Sequence, residues 1–144
     1  MVVEAGILVT RPSGQAESLC AAIVAAGYTA HHLPMLQLEQ LPEPTSAQRQ
    51  CLLELDCYQH LIFVSGNAVR YGMAWIESFW PQLPIGPEWF AVGDATAALL
   101  ADFGVSVHTP GVSMSSEGLL ELPELQPVAG HRVRSPSLSP IRTV

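Results

Sequence analysis

Three stretches of this sequence place hydroxyl, amide and glycine residues directly after a short apolar run: Thr10-Arg11-Pro12-Ser13-Gly14, Ser65-Gly66-Asn67 and Gly93-Asp94-Ala95-Thr96. Each reads as a strand-to-helix turn. Such turns meet at the carboxyl edge of an open parallel sheet, where ligands bind. They present backbone N–H groups at a helix N-terminus, which suits an anion. Ser13, Ser65 and Asp94 are also ordinary helix-capping types, so any one turn has an explanation without a ligand. Three in series weaken that explanation.

Other chemistries find less support. The chain contains no lysine, so a phosphate-loop lysine is excluded, and no GxGxxG pattern occurs. Ser65 does not sit in a G-x-S-x-G elbow, which argues against a hydrolase nucleophile. His31 and His32 are adjacent on a strand and point to opposite faces, so they cannot chelate one metal together. His60, His108 and His131 lie in unrelated contexts. Cys20, Cys51 and Cys57 form no CxxC pair and read as structural thiols of a reducing cytoplasm. No metal site is expected. Trp75, Phe79, Trp80, Trp89 and Phe90 gather around a Pro-rich loop, where packing is the default role and a ring-stacking surface the alternative.

The elements that position the turns follow from apolar periodicity. Ile7–Thr10 reads as a buried strand. Ala16, Leu19, Cys20, Ile23 and Val24 trace one helical face, with Ser13 as its expected cap and Gly27 as its stop. Tyr28–Leu33 is a second strand, so this βαβ unit predicts parallel pairing. Gln37–Thr45, with Pro42 and Pro44, is an extended connector. Beyond it the spacing predicts a helix from Thr45 to about Leu55 and a strand at Leu61–Val64. A helix follows from Ala68 through Ile76, then a strand at Trp89–Val92 and a helix at Ala95–Asp102. A strand at Val105–Val107 and a short helix at Glu117–Leu122 come next, and a last strand begins at His131–Val133. Strands alternating with helices predict an α/β fold with a mainly parallel sheet and flanking helices. Arg134–Val144, RSPSLSPIRTV, has no period and reads as a disordered tail.

Composition narrows the function classes. About half of the 144 residues are apolar and only 13% are charged, which excludes global disorder. Thirteen acids face six cations, all arginine. Residues 1–130 carry three of those arginines and every acid, a net of −10, whereas the last fourteen residues carry +3. An acidic body argues against nucleic acid, which is bound by cations on phosphates. No apolar run reaches a membrane span. Leu19–Ala26 has the length of a signal-peptide core, but a strand and a Pro-Ser-Gly turn precede it, so export is not expected.

At these same turns the chain resembles the uroporphyrinogen-III synthase family. The resemblance rests on VTRPSGQAESL from Val9, LIFVSGNAV from Leu61, AVGDATAALLADFG from Ala91 and SSEGLLELPEL from Ser115, in that order. It implies two similar α/β domains joined by a two-stranded linker, with a cleft between them. On that plan residues 1–36 are the first βαβ unit of an incomplete first domain, 37–44 the linker, and 45–133 the second domain, lacking its last elements. Members continue after the GHRV strand with an apolar run and a Gly-Arg turn. Here RSPSLSPIRTV stands instead, so the resemblance implies a C-terminally truncated chain with an aberrant tail at 134–144. The tyrosine thought to assist loss of the substrate hydroxyl would fall in the absent part, and the catalytic residue stays unassigned.

The family closes the linear tetrapyrrole hydroxymethylbilane to uroporphyrinogen III, inverting ring D with loss of water, in heme biosynthesis. The resemblance implies no metal and no organic cofactor. Because the body is acidic, a carboxylate-rich substrate must be held by local donors rather than by long-range attraction. The expected binding residues are Arg11, Ser65, Gly66, Asn67, Thr96 and Ser116, with Thr96 in the family's VGxATA motif. The chain is expected to be a cytoplasmic monomer with little activity of its own. The alternatives are a non-catalytic α/β module binding an anion or small ligand, and a degraded product with no stable fold. Against a receiver domain, Arg11 and Pro12 follow the first strand where carboxylates would be needed.

Overall fold

Thr45 shows how local chemistry starts an element here. Its hydroxyl accepts the Gln48 N–H at 3.3 Å, while the Gln48 side chain accepts the Thr45 N–H at 2.8 Å. This reciprocal capping box satisfies amides that the first helical turn cannot. The computed structural model describes residues 6–111, 115–126, 130, 133–134 and 142–143. In chain order the elements are β1 (Gly6–Val9), α1 (Glu17–Ala25), β2 (Thr29–His32), β3 (Leu36–Gln37), α2 (Ser46–Leu53) and a 3₁₀ turn at Leu55–Cys57. There follow β4 (His60–Phe63), α3 (Gly66–Phe79), β5 (Glu88–Ala91), α4 (Asp94–Ala101) and β6 (Val107–His108). The last are α5 (Ser116–Leu120), a 3₁₀ turn at Pro123–Leu125, β7 (Val133–Arg134) and β8 (Arg142–Thr143).

The chain divides into two compact units, one of Met1–Leu41 with Ser139–Val144, the other Pro42–Leu138. In the first, β1 and β2 pair in parallel, Val9 opposite His32, as the βαβ spacing predicts. Val9, Ala16 and Ile23 form its small core, with Cys20 and Ala30 packed against them. Val24 is 60% exposed, so only part of the apolar helical stripe is buried, and with Leu8 58% exposed the strand expected to be buried at Ile7–Thr10 buries Val9 alone. Gly27 has φ +86, a left-handed position that ends α1 where a side chain would be strained. Leu36–Gln37 pairs antiparallel with Arg142–Thr143.

The second unit holds a four-stranded sheet in the order β6-β5-β4-β7, every pair parallel. Pleating sends Ile62, Phe90 and Val92 to one face, where Leu119, Leu122 and Leu125 from α5 and the following turn cover them. Leu61, Phe63, Trp89 and Ala91 point to the other face and are buried as well. A sheet covered on both sides needs strands that are apolar throughout, which is why LIF and WFA lack alternation. The helix α3 buries Val69, Met73 and Ile76, three positions on one helical stripe.

Several expected boundaries move. The first helix begins at Glu17, and Ser13 does not cap it: its N-cap is Ala16, with no side-chain bond. The reason lies in the turn itself. Gln15 N–H bonds the Pro12 carbonyl at 3.1 Å and Glu17 Oε1 accepts the Gly14 N–H at 2.9 Å, so the turn is closed ahead of the helix and Ser13 stands outside it. Asp94 likewise is the first helical residue rather than the cap; Gly93 occupies the cap position without a side-chain bond. The helix after Thr45 ends at Leu53 and tightens into the 3₁₀ turn, and the strand expected at Val105–Val107 is the two-residue β6. Of the segment 134–144 read as structureless, Arg134, Arg142 and Thr143 belong to short strands, and 135–141 and 144 lie outside the described residues. His131 and Arg132, read as the start of the last strand, also lie outside them.

The aromatic group resolves into packing. Trp75, Trp89 and Phe90 are buried, Phe63 stacks on Trp89 with centroids 5.9 Å apart, and the Trp80 indole donates to the Leu52 carbonyl at 2.7 Å. No helix among the described residues is long and apolar enough to cross a membrane.

Candidate functional site

The parallel pairing of β4 and β5 brings two of the three turns side by side. Phe63 faces Ala91 in the ladder, and the Val92 N–H bonds the Phe63 carbonyl at 3.2 Å, carrying the pairing one step further. Ser65 and Gly93 therefore leave the sheet as neighbours at its carboxyl edge. Glycine at position 66 faces Leu99 of α4: a Cβ there would stand 3.0 Å from Leu99 Cδ1. The Arg11 turn belongs to the other unit and to a separate sheet, so the three turns do not share one edge.

At the α3 turn, Ser65 adopts an extended backbone and its Oγ accepts the Ala68 N–H at 3.2 Å. The Val69 N–H bonds the Ser65 carbonyl at 3.1 Å. The amides of Gly66 and Asn67 are left without a partner among the described residues. At the α4 turn the Thr96 and Ala97 amides both bond the Gly93 carbonyl at 3.0 Å, leaving those of Asp94 and Ala95. At α5 the cap is Ser115, whose Oγ accepts the Gly118 N–H at 3.1 Å. The expected binding residue Ser116 is the first helical residue beside it and is exposed.

Charge separates these turns. Asp94 stands in the first turn of α4 and Glu117 in that of α5, whereas the first turn of α3 has no acid. A carboxylate ligand meets repulsion at two of them and only partial positive charge at α3. The α3 turn is the best anion position of the three. Thr96 is only 8% exposed, so its side chain offers a ligand little surface, and the α4 turn presents Asp94 and Ala95 instead.

Arg11 is exposed and has no carboxylate partner among the described residues. Its turn is held by the Glu17–Gly14 bond and by His32, whose Nε2 lies 2.9 Å from the Arg11 carbonyl oxygen. The Glu17 carboxyl is held below its ordinary range, first by its own backbone N–H and then by that of Gly14. The sequence reading missed His32 as part of this arrangement. The available signal was its place as the last residue of β2. No group of three His, Cys, Asp or Glu residues among those described is arranged to hold a metal ion. An open depression lined by Asp56, Trp80, Pro81 and Ile85 lies on the α3–β5 connection, at the amino edge and away from these turns.

Comparison with known proteins converges on one family. The model of uroporphyrinogen-III synthase HemD matches residues 17–136. The uroporphyrinogen-III synthase of Salmonella typhimurium is 36% identical over 129 residues, 88% of this chain and 51% of that protein. The Escherichia coli protein of the same name is 37% identical over 133 residues, with the same shares of each chain. The Proteus mirabilis one is 29% identical over 131 residues, 88% of this chain and 64% of its own length. The chain thus spans about half the length of the first two curated relatives it matches.

Proposed function

The chain belongs to the uroporphyrinogen-III synthase family, and from that premise we propose that its strand-to-helix turns form part of the surface that binds hydroxymethylbilane for ring closure with inversion of ring D. The observation that carries this reading is the α3 turn: two unpartnered amides, a hydroxyl and no acid, within the matched residues and beside the α4 turn. The Ser65 hydroxyl uses one lone pair on the Ala68 N–H and keeps its proton to donate to a substrate carboxylate. Gly66 and Asn67 supply amides, and the Arg11 guanidinium supplies a bidentate partner for a second carboxylate. Ser116 adds a hydroxyl. Thr96 acts by packing its turn rather than by contact, consistent with its burial.

The chemistry asks the protein mainly to hold a flexible chain in one folded shape while the hydroxyl leaves and an azafulvene-type cation forms. The neutral donors of the α3 turn suit this, because they grip a carboxylate without adding a full positive charge near that cation, which leaves Arg11 as the one charged donor of the set. The net charge of −7 for the whole chain supports a small-molecule substrate over nucleic acid, and we read the protein as a cytoplasmic monomer.

The test is incubation of the 144-residue chain with hydroxymethylbilane, followed by oxidation and separation of porphyrin isomers, alongside a binding titration with uroporphyrin. Folding the bilane correctly requires donors placed to within ~1 Å. The chain alone is expected to bind the porphyrin yet give type III product little above the spontaneous background. Type III product at enzymatic rates would show that these turns suffice, and absence of porphyrin binding would overturn the reading.

A further inference from the structure

Three successive carbonyls at the end of β1 are fixed by the segment that leaves β2. The Val9 carbonyl accepts the Leu33 N–H at 2.9 Å and the Thr10 carbonyl accepts the Met35 N–H at 3.2 Å. Between those donors stands Pro34, which has no N–H to give. The next carbonyl, that of Arg11, is reached by a side chain instead, His32 Nε2 at 2.9 Å. Backbone pairing stops at Thr10, and His32 carries the restraint one residue further, into the turn.

We propose that His32 is a positioning residue, fixing the backbone of the Arg11 turn so that the guanidinium is presented in one direction. This rests on the reading above that Arg11 takes a substrate carboxylate. The turn is held from three directions. Pro12 restricts Arg11 to extended backbone. Glu17 holds the Gly14 amide from α1. His32 holds the Arg11 carbonyl from β2. Pro12 and His32 both act on the residue that bears the guanidinium, but only His32 reaches it from another strand, and its bond to the Arg11 carbonyl requires a proton on Nε2. A freely rotating turn would spread the guanidinium over many orientations and weaken a directional contact.

The experiment compares His32→Phe, which keeps an aromatic ring without the donor, with His32→Gln, which restores an amide N–H at similar reach. Both are made in the full chain, with and without Arg11→Ala. Uroporphyrin affinity and the amide exchange of Gly14 and Gln15 are read together. Loss of one such hydrogen bond corresponds to roughly a fivefold change. His32→Phe is expected to bind about fivefold more weakly and to exchange faster in the turn, in line with that loss. His32→Gln should recover both. In the Arg11→Ala background His32→Phe should cost no further affinity, a result that a general loss of stability would not produce. Wild-type affinity and exchange in His32→Phe would overturn the proposal, as would an undiminished affinity loss without Arg11. If no variant and no wild-type chain binds uroporphyrin, the substrate reading fails by itself. The exchange data then decide the positioning role: faster exchange rescued by Gln upholds it, and unchanged exchange overturns it.

Discussion

Replacing Ser65 by Ala and by Asp separates the two roles that the α3 turn assigns to this residue. The Ser65 hydroxyl accepts the Ala68 N–H at 3.2 Å, so Ser65→Ala removes a cap and costs about 1 kcal/mol. In a unit of about 100 residues that lowers Tm by about 4–8 °C. Asp caps as well as Ser, and a carboxylate at a helix N-terminus adds about 0.3–1 kcal/mol, so Ser65→Asp should unfold no lower than wild type. Binding should follow the opposite order. A new carboxylate about 4 Å from a ligand carboxylate costs about 1 kcal/mol at the dielectric of water and about 4 kcal/mol at an effective dielectric of 20. Even the lower figure is roughly a fivefold loss of affinity. Ser65→Ala, which keeps the two amides, should lose less. Thermal unfolding and uroporphyrin titration at low salt measure the pair. If Ser65→Asp melts with Ser65→Ala, the cap argument is wrong; if it binds like wild type, the anion does not sit at this turn.

Three further expectations follow from packing and charge. Phe90 is fully buried between the rings of His60 and His108, at centroid distances of 5.5 and 5.0 Å, and under Leu119 and Leu125. Phe90→Ala should cost about 3–5 kcal/mol in urea unfolding, and a loss below about 1 kcal/mol would refute the packing of α5 on that face. Amides of β1 and β2, with exposed Ile7 and Leu8 and a core of three buried residues, should exchange much faster than those of β4 and β5, which uniform protection would contradict. The Glu17 carboxyl is lowered from 4.5, so its hold on Gly14 is present above that pH and lost as pH falls below it. The Gly14 amide resonance should shift as pH falls below 4.5 in wild type and stay in place in Glu17→Gln.

The order of the elements, the parallel pairing within each βαβ step and two of the caps were legible in the sequence because they depend on contacts within a few residues. Thr45 reaches only to Gln48 and Ser65 only to Ala68. A parallel sheet covered on both faces also writes itself directly as short apolar runs. The same local grammar misled at Ser13 and Asp94. Capping types stood at both turns, but a glutamate three residues on took the Gly14 amide, and Gly93 took the cap position of α4.

What the sequence by itself determined is therefore the set of turns with amides to offer, and the family motif that places them in order. Tertiary structure decided where those turns stand and what each exposes. The β4–β5 register sets the Ser65 and Gly93 turns side by side, burial withdraws Thr96 from the surface, and a separate sheet carries Arg11. It also decided that His32, 21 residues away in sequence, holds the Arg11 carbonyl. These outcomes depend on pairings between distant segments. Such pairings are selected by the total of buried surface and satisfied hydrogen bonds, a sum that no local window of sequence contains.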